Sequence, residues 1–575
     1  WRNYGDDGGS LKGWWYTTWT LNMEMEIFAA VRSATRLDWF KTEAWYGKLV
    51  DWYLMGLRSD GSFLRSGDSR IGEGLSYLDW AYALSVAHFH RNSRAKWLAQ
   101  KVEGTITIWS LYKIYDILWN DADLVPEAPS GSLSRLYRTP GHVLLRDSWG
   151  PEAVVADFRS AQDYTLGHTH LDNNSFTIFC QGGLALDSGI YDDFTSSHHA
   201  NYYRRTVAHN SILVFDAEEK FLLYGTAYPN DGGQKWLGRE EGVASAFPAR
   251  VEDVLDPGKG FRAGGILIYE QTPEYTYALG DAAPSYSTRK LSVFDRHFLW
   301  LTGVAGRDRP AIVVFDHVVA KSPSFKKTYL LHTQNRPTVQ GSLVSVANRG
   351  GVLYQETLLP ESARIEVVGG PGKEFWVDGK NYPPIRDPSE LEEAGAWRVE
   401  VSPASSRAAD QFLHVLHAGD AGRAMAPMCS SLAASSMYGC TVENWAVLFG
   451  TNRRGTMDVG YAVPKGAWKH LLVGLVPNAT YEVTVGGASL GQVNASDKGS
   501  LRFDSQGAAK VQATRVADAA PKTGDATPPE SAGDAPATAS DGPASPADGI
   551  VPSAAAEEAP VVPADVPEPE VASGL

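Results

Sequence analysis

The hydrophobic period of this chain changes between Asn120 and His142, and that change constrains the fold more than any other feature of the sequence. Before it, residues recur at helical spacing: Phe28, Val31 and Thr35, then Trp45, Leu49 and Trp52, then Leu78, Tyr82 and Val86. Arg36-Leu37-Asp38, Ser59-Asp60-Gly61-Ser62 and Arg91-Asn92-Ser93 interrupt this pattern, the last two with turn and N-cap residue types, so four or five helices in consecutive hairpins are expected. Eleven of the 18 tryptophans precede Asn120. So much aromatic surface on so few helices makes a poor closed domain, and further helices of a larger array are expected upstream of Trp1.

The run Pro126 to Ser132 reads as a linker, and after it the pattern alternates. Strands are expected at His142 to Arg146, Ala153 to Phe158, Phe176 to Phe179, Ser211 to Phe215, Gly265 to Tyr269, Phe298 to Thr302, Ala311 to Phe315, Thr328 to His332, Phe412 to His417 and Ala446 to Phe449. Many short strands without intervening helices favour a large antiparallel sandwich over 141–516, with 126–140 as linker. Thr480 to Val485 and Ser500 to Val516 either close that sandwich or belong to a small β appendage from about residue 467. From Ala517 to Leu575 the chain is Ala, Pro, Asp and Glu without an aromatic residue, too little apolar area to offset chain entropy, so a disordered tail is expected.

A chain of 575 residues, 43% hydrophobic and 21% charged, should form two or three domains. No apolar run reaches the length of a membrane span. Cys180, Cys429 and Cys440 allow one disulfide at most and lack zinc-thiolate spacing. The start at Trp1, without Met or signal peptide, is read as a processed or truncated end. Of the net charge of -15, the segment from Ala517 contributes eleven acidic residues against Lys522, so the body carries only about -5 and an anionic polymer is not excluded as ligand.

Five of the 14 histidines fall between His168 and His209. On a strand, His168 and His170 would present both rings to one side, while Asp187 and His209 lie at the ends of strand-like runs that antiparallel pairing can return to the same place. Two imidazoles and a carboxylate suit a zinc-like ion; the alternative is hydrogen-bonded core histidines and a turn aspartate. His198-His199 reads as a loop lining or exposed pair, and His88 and His90 receive no role. The sequons at Asn173, Asn478 and Asn494 carry little weight.

At Gly167-His168-Thr169-His170-Leu171-Asp172, Leu186-Asp187-Ser188-Gly189 and Arg205 to Asn210 the chain resembles the heparinase II/III-like polysaccharide lyases. The resemblance implies a partial N-terminal (α/α) toroid followed by a large antiparallel β-sandwich, a structural zinc on His170, Asp187 and His209, and His168 in the cleft. Asp7-Gly8-Gly9-Ser10 followed by Lys12-Gly13-Trp14-Trp15-Tyr16 is similar to the family's Gly-rich lead into the helix with the catalytic tyrosine, here Tyr16. Tyr203, with Tyr191 and Tyr202 behind it, is a further catalytic candidate whose alternative is sheet packing. Arg204, Arg205 and Trp15 are candidate substrate contacts, the arginines because guanidinium binds carboxylate or sulfate in bidentate fashion.

The implied reaction is β-elimination on a uronic-acid polysaccharide, glycosaminoglycan or alginate, which needs a proton acceptor α to the carboxylate and a proton donor for the leaving oxygen. The family's Asn-His pair for the substrate carboxylate precedes the tyrosine, so here it is either missing from this fragment or replaced. The resemblance also implies a secreted or periplasmic location, with neither nucleic acid nor membrane span as partner. The competing expectation is a non-catalytic carbohydrate-binding or surface protein with a structural zinc. A glycoside hydrolase is disfavoured because no carboxylate pair is placed on two strands.

Overall fold

The computed structural model describes residues 5–69, 74–103, 113–162, 168–223, 226–236, 252, 261–386, 393–453 and 455–516. Gly167 and the whole tail expected over 517–575 lie outside the described residues.

Helices α1 (Gly13–Thr35), α2 (Trp39–Thr42), α3 (Ala44–Gly56), α4 (Tyr77–His90), α5 (Ser93–Glu103) and α6 (Ile114–Trp119) form the N-terminal part. Their limits follow local chemistry. Arg36 ends α1 in the left-handed region at φ 67°, Arg91 ends α4 likewise at φ 51°, and Ser76 with Asp79 forms a reciprocal capping box at the start of α4. Aromatic rings fill the interior, with Trp14 stacked on Trp52 at 4.3 Å and Phe40 on Phe89 at 4.0 Å. The buried face of α1 runs from Trp14 to Phe28 and stops there, so Val31 and Thr35, expected to share it, lie outside the core.

The strands β1 (Ser134–Tyr137), β2 (His142–Arg146), β3 (Val155–Arg159), β4 (Ser175–Phe179) and β5 (Gly183–Ala185) form one sheet in chain order. Four of the fifteen residues of the expected linker are therefore strand: Ser134 to Tyr137 pairs antiparallel with His142 to Leu145. Four residues are too few for alternation to show in sequence. An eight-stranded sheet contains Gly265–Gln271, Tyr275–Asp281, Leu291–Leu301, Ala311–Ala320 and Ala409–Asp420, all joined antiparallel. β6 (Ile212–Phe215) borders a four-stranded sheet through Lys326–Thr333. Phe158 of β3 stacks on Phe298 of the eight-stranded sheet at 5.2 Å, within a core shared by all three sheets.

A second, smaller sandwich begins at Cys429 rather than near residue 467. Its five-stranded sheet contains the parallel pair Trp445–Phe449 and Ala467–Val473, and its four-stranded sheet contains Thr480–Val485 and Ala509–Arg515, closing over a core of their own.

The helices and the first sheet share one core, since Tyr137, Leu144, Val155 and Phe179 pack into the cluster that holds Trp14, Trp52 and Tyr82. Polar contacts fasten the same seam: Arg146 Nη1 donates to the Leu54 carbonyl at 2.9 Å and Arg135 pairs with Asp51 at 2.8 Å. His168 and His170, expected on a strand, lie instead in an irregular segment before β4, with His199 in a π-helical turn and His209 in a bend.

Candidate active site

Between α3 and α4 the chain makes a hairpin whose residues 57–69 reach into the sandwich. Arg65 donates to the carbonyls of Asp187 (2.9 Å), Gly189 (2.6 Å) and Glu393 (2.8 Å), and Arg58 pairs with the buried Glu393 at 2.8 Å. At the tip, Gly67 adopts φ +63°, and a Cβ there would lie 2.4 Å from the His168 carbonyl oxygen, so only glycine permits the approach. The next residue, Asp68, donates its backbone N–H to that carbonyl at 3.1 Å.

The Asp68 side chain is fully buried and faces three imidazoles. Its Oδ2 lies 2.7 Å from His168 Nδ1, and its Oδ1 lies 2.9 Å from His170 Nε2 and 2.8 Å from His199 Nε2. Burial works against the charge on Asp68, but the bonds from His168, His170 and His199 outweigh it and hold the carboxyl well below the usual carboxylate range. An ionised carboxylate only accepts, so each facing ring nitrogen carries a hydrogen.

His168 is the accessible member, with 22% of its side chain exposed against 1% for His170 and His199. Tyr16 of α1 stacks on the His168 ring at 3.2 Å, and its hydroxyl donates to Tyr191 Oη at 2.8 Å. The expected pair thus meets across the seam, with one ring from the helices and the other from the sandwich. Trp15 is half-buried and edges against the exposed Trp19 at 6.0 Å.

Behind His170 lies the second part of the site. Asp187 accepts from His209 Nδ1 at 3.0 Å and from Arg159 Nη2 at 2.7 Å, while Arg159 also pairs with Asp172 at 2.8 Å and Asp157 at 2.7 Å. Burial opposes ionisation of Asp187, yet Arg159 and His209 keep its carboxyl far below the ordinary value. Burial lowers His170 to about 3 against the pull of Asp68, so this ring is neutral. Among the described residues two triads have donor atoms within 4.8 Å of one another, Asp68–His170–His199 and Asp172–Asp187–His209. They adjoin through the His170 and His209 rings, 5.2 Å apart. His170 Nδ1 and His209 Nε2 are both buried and have no hydrogen-bond partner among the described residues. Two such nitrogens on neighbouring rings, with a carboxylate behind each ring, fit a zinc-like ion.

Other expected residues sit elsewhere. Tyr203 is buried, donating to the Gly67 carbonyl at 3.0 Å and accepting from Ser69 N–H at 3.2 Å, so it supports the Asp68 hairpin. Arg205 is fully buried against Asp231 at 2.6 Å, and Arg204 is buried over Trp236 and Phe194. His198 and His199 are buried rather than exposed because residues 199–203 form a π-helical turn, not a strand, that turns both rings inward. Asn173 is buried too, its amide donating to the Ala161 and Ala263 carbonyls, which argues against a glycan there. Sequence reasoning missed Asp68 and Arg159. Asp68 stands in Ser66-Gly67-Asp68-Ser69, a stretch that reads as an ordinary turn.

Residues 141–356 match the family model described as Heparinase II/III-like, C-terminal. By structure, the chain is similar to heparan sulfate lyase HepC from Pedobacter heparinus, with 14% identity and a TM-score of 0.52, over 78% of this chain and 60% of that one. A HepC mutant matches with 13% identity and a TM-score of 0.52, over 78% and 59%. A structure of heparinase III matches with 11% identity and a TM-score of 0.51, over 76% and 60%. The chain therefore spans about 60% of the length of these proteins, and the likeness is one of fold. No curated protein matches the sequence.

Proposed function

With residues 141–356 forming a heparinase II/III-like C-terminal domain, we propose that this chain cleaves a uronic-acid-containing polysaccharide by β-elimination, leaving an unsaturated uronate at the new end. The observation that carries the reading is the contact of Tyr16 with His168 across the seam, ring centroids 3.2 Å apart, where the imidazole is partly exposed and its Nδ1 is held by Asp68. In the reaction the proton α to the sugar carboxylate leaves to a base. Its electron pair becomes the new C=C bond, and the β-carbon–oxygen bond breaks with both electrons going to the departing sugar oxygen, which takes up a proton. A phenol and an imidazole in contact supply both proton transfers. With His168 Nδ1 bound to Asp68, Nε2 is the ring atom left to accept the α-proton, while Tyr16, its hydroxyl positioned by the bond to Tyr191, gives its proton to the departing sugar oxygen; return of the proton from His168 to the tyrosinate restores both groups.

His170 and His209 would hold a zinc-like ion through Nδ1 and Nε2, with Asp187 behind the His209 ring rather than on the ion as expected, and the ion's contribution would be to tie separate chain segments together. The substrate class is glycosaminoglycan or alginate. Location outside the cytoplasm, secreted or periplasmic, is part of the same proposal; no described helix is long and apolar enough to cross a membrane. The test is incubation with alginate, hyaluronan, chondroitin and heparan sulfate while following ultraviolet absorbance of the conjugated uronate. Absorbance should rise with at least one polymer. Binding to a polymer without any rise would favour the carbohydrate-binding alternative.

A further inference from the structure

Asp68, from the helical part, bonds to all three of the histidines His168, His170 and His199. We propose that Asp68 is a positioning residue that sets the tautomers of His168 and His170 together, aiming one lone pair into the cleft and the other at the metal position. This rests on the lyase reading for the role of His168, but not for the role of His170.

The argument is one of hydrogen-bond counting. A carboxylate has no hydrogen to give, so His168 must carry its hydrogen on Nδ1 and His170 on Nε2. A neutral ring has one N–H, which leaves His168 Nε2 and His170 Nδ1 as the lone-pair atoms. His170 Nδ1 is the buried atom without a partner, beside the equally unpartnered His209 Nε2. His209 receives the same treatment from Asp187, which accepts from its Nδ1 at 3.0 Å. Each imidazole at the metal position thus has its own carboxylate, an arrangement that orients a ligand ring and strengthens its basicity. One of these carboxylates also holds the partly exposed ring of His168, so that both functions depend on one side chain.

Asp68 itself has little freedom. Its backbone N–H is bonded to the His168 carbonyl, Gly67 before it and Ser69 after it are held by Tyr203, and Arg65 anchors the hairpin to the sandwich. His199 Nε2 is the third ring nitrogen facing the carboxylate, and its Nδ1 lies 2.9 Å from the Phe194 carbonyl oxygen. The carboxylate is therefore fixed from both sides of the seam before any substrate arrives.

The test uses the full chain with Asp68→Asn and Asp68→Glu. An amide can accept through one atom only, and its nitrogen would force a facing imidazole to flip its tautomer. In Asp68→Asn, zinc affinity measured by competition with a chelating dye should weaken by about 10-fold to 100-fold. On any polymer that the unaltered chain cleaves, kcat should fall by a similar factor while KM changes little, and Asp68→Glu should recover part of both. If the unaltered chain cleaves no polymer, the lyase reading fails, while the zinc measurement still decides the role of Asp68 toward His170. Unchanged zinc affinity together with unchanged kcat in Asp68→Asn would overturn the proposal. Should the variant not fold, nitrogen-15 spectra of histidine-labelled unaltered protein decide instead. The signals lost in His168→Gln and His170→Gln should be those of Nδ1–H and Nε2–H tautomers respectively, and the opposite assignment would overturn it.

Discussion

At the scale of single residues, the Tyr16 hydroxyl and the His168 ring separate chemistry from packing. Tyr16→Phe removes the bond to Tyr191 and leaves the stacked ring, and His168→Ala leaves His170 in place. Each substitution should lower turnover by roughly 100-fold or more with the fold retained, because general acid–base groups contribute on that order. Steady-state kinetics beside circular dichroism checks this; full activity in Tyr16→Phe would pass the role to Tyr191. That Tyr16 and His168 would meet could be expected from the sequence because each stands in a local motif. Asp68 was not legible there, since its meaning lies in partners 100, 102 and 131 positions away, and no local pattern marks it. Tyr203 and Arg205 show the converse: they stand beside the motif but are consumed by Gly67, Ser69 and Asp231.

At the scale of elements, the hairpin 57–69 is the part that makes two architectures into one site. Arg65 alone satisfies three carbonyls of the sandwich, those of Asp187, Gly189 and Glu393. Replacing it by Met leaves these buried oxygens without their donor, a loss of about 3 kcal/mol. The melting temperature should fall by several degrees, whereas Arg364→Met, which breaks only the exposed pair with Glu366, should leave it unchanged. Equal melting of both variants with the parent chain would show that the hairpin is not held as described. Helix ends and most strands were readable because Arg36-Leu37-Asp38 and the alternating runs are local signals. Strand β1 and the start of the second sandwich at Cys429 were not, because the first is four residues long and the second depends on which sheet a strand joins.

At the scale of the whole molecule, the sandwich buries several imidazoles away from the seam. Burial lowers His297 to about 3, reinforced by His317, and lowers His414 to about 3, reinforced by Arg296. Their folded values lie below the unfolded value of about 6.5, so the unfolded chain binds these protons first. Stability is then intact above about pH 6.5 and is lost as pH falls toward 3, each histidine adding a slope of roughly 1 kcal/mol per pH unit. Thermal melts between about pH 7 and pH 4 should show a steep decline, lessened in His414→Gln; a flat profile would contradict the neutral buried rings.

That same seam of helices and sandwich is where elimination rather than hydrolysis is expected, and the masses of the products decide between them most directly. A lyase cuts without water, so the two fragments from one cut of a defined uronate oligosaccharide should together have the mass of the substrate, and the fragment bearing the new non-reducing end should carry the double bond. Fragments heavier by one water in sum, with no unsaturated end, would contradict the role given to Tyr16 and His168.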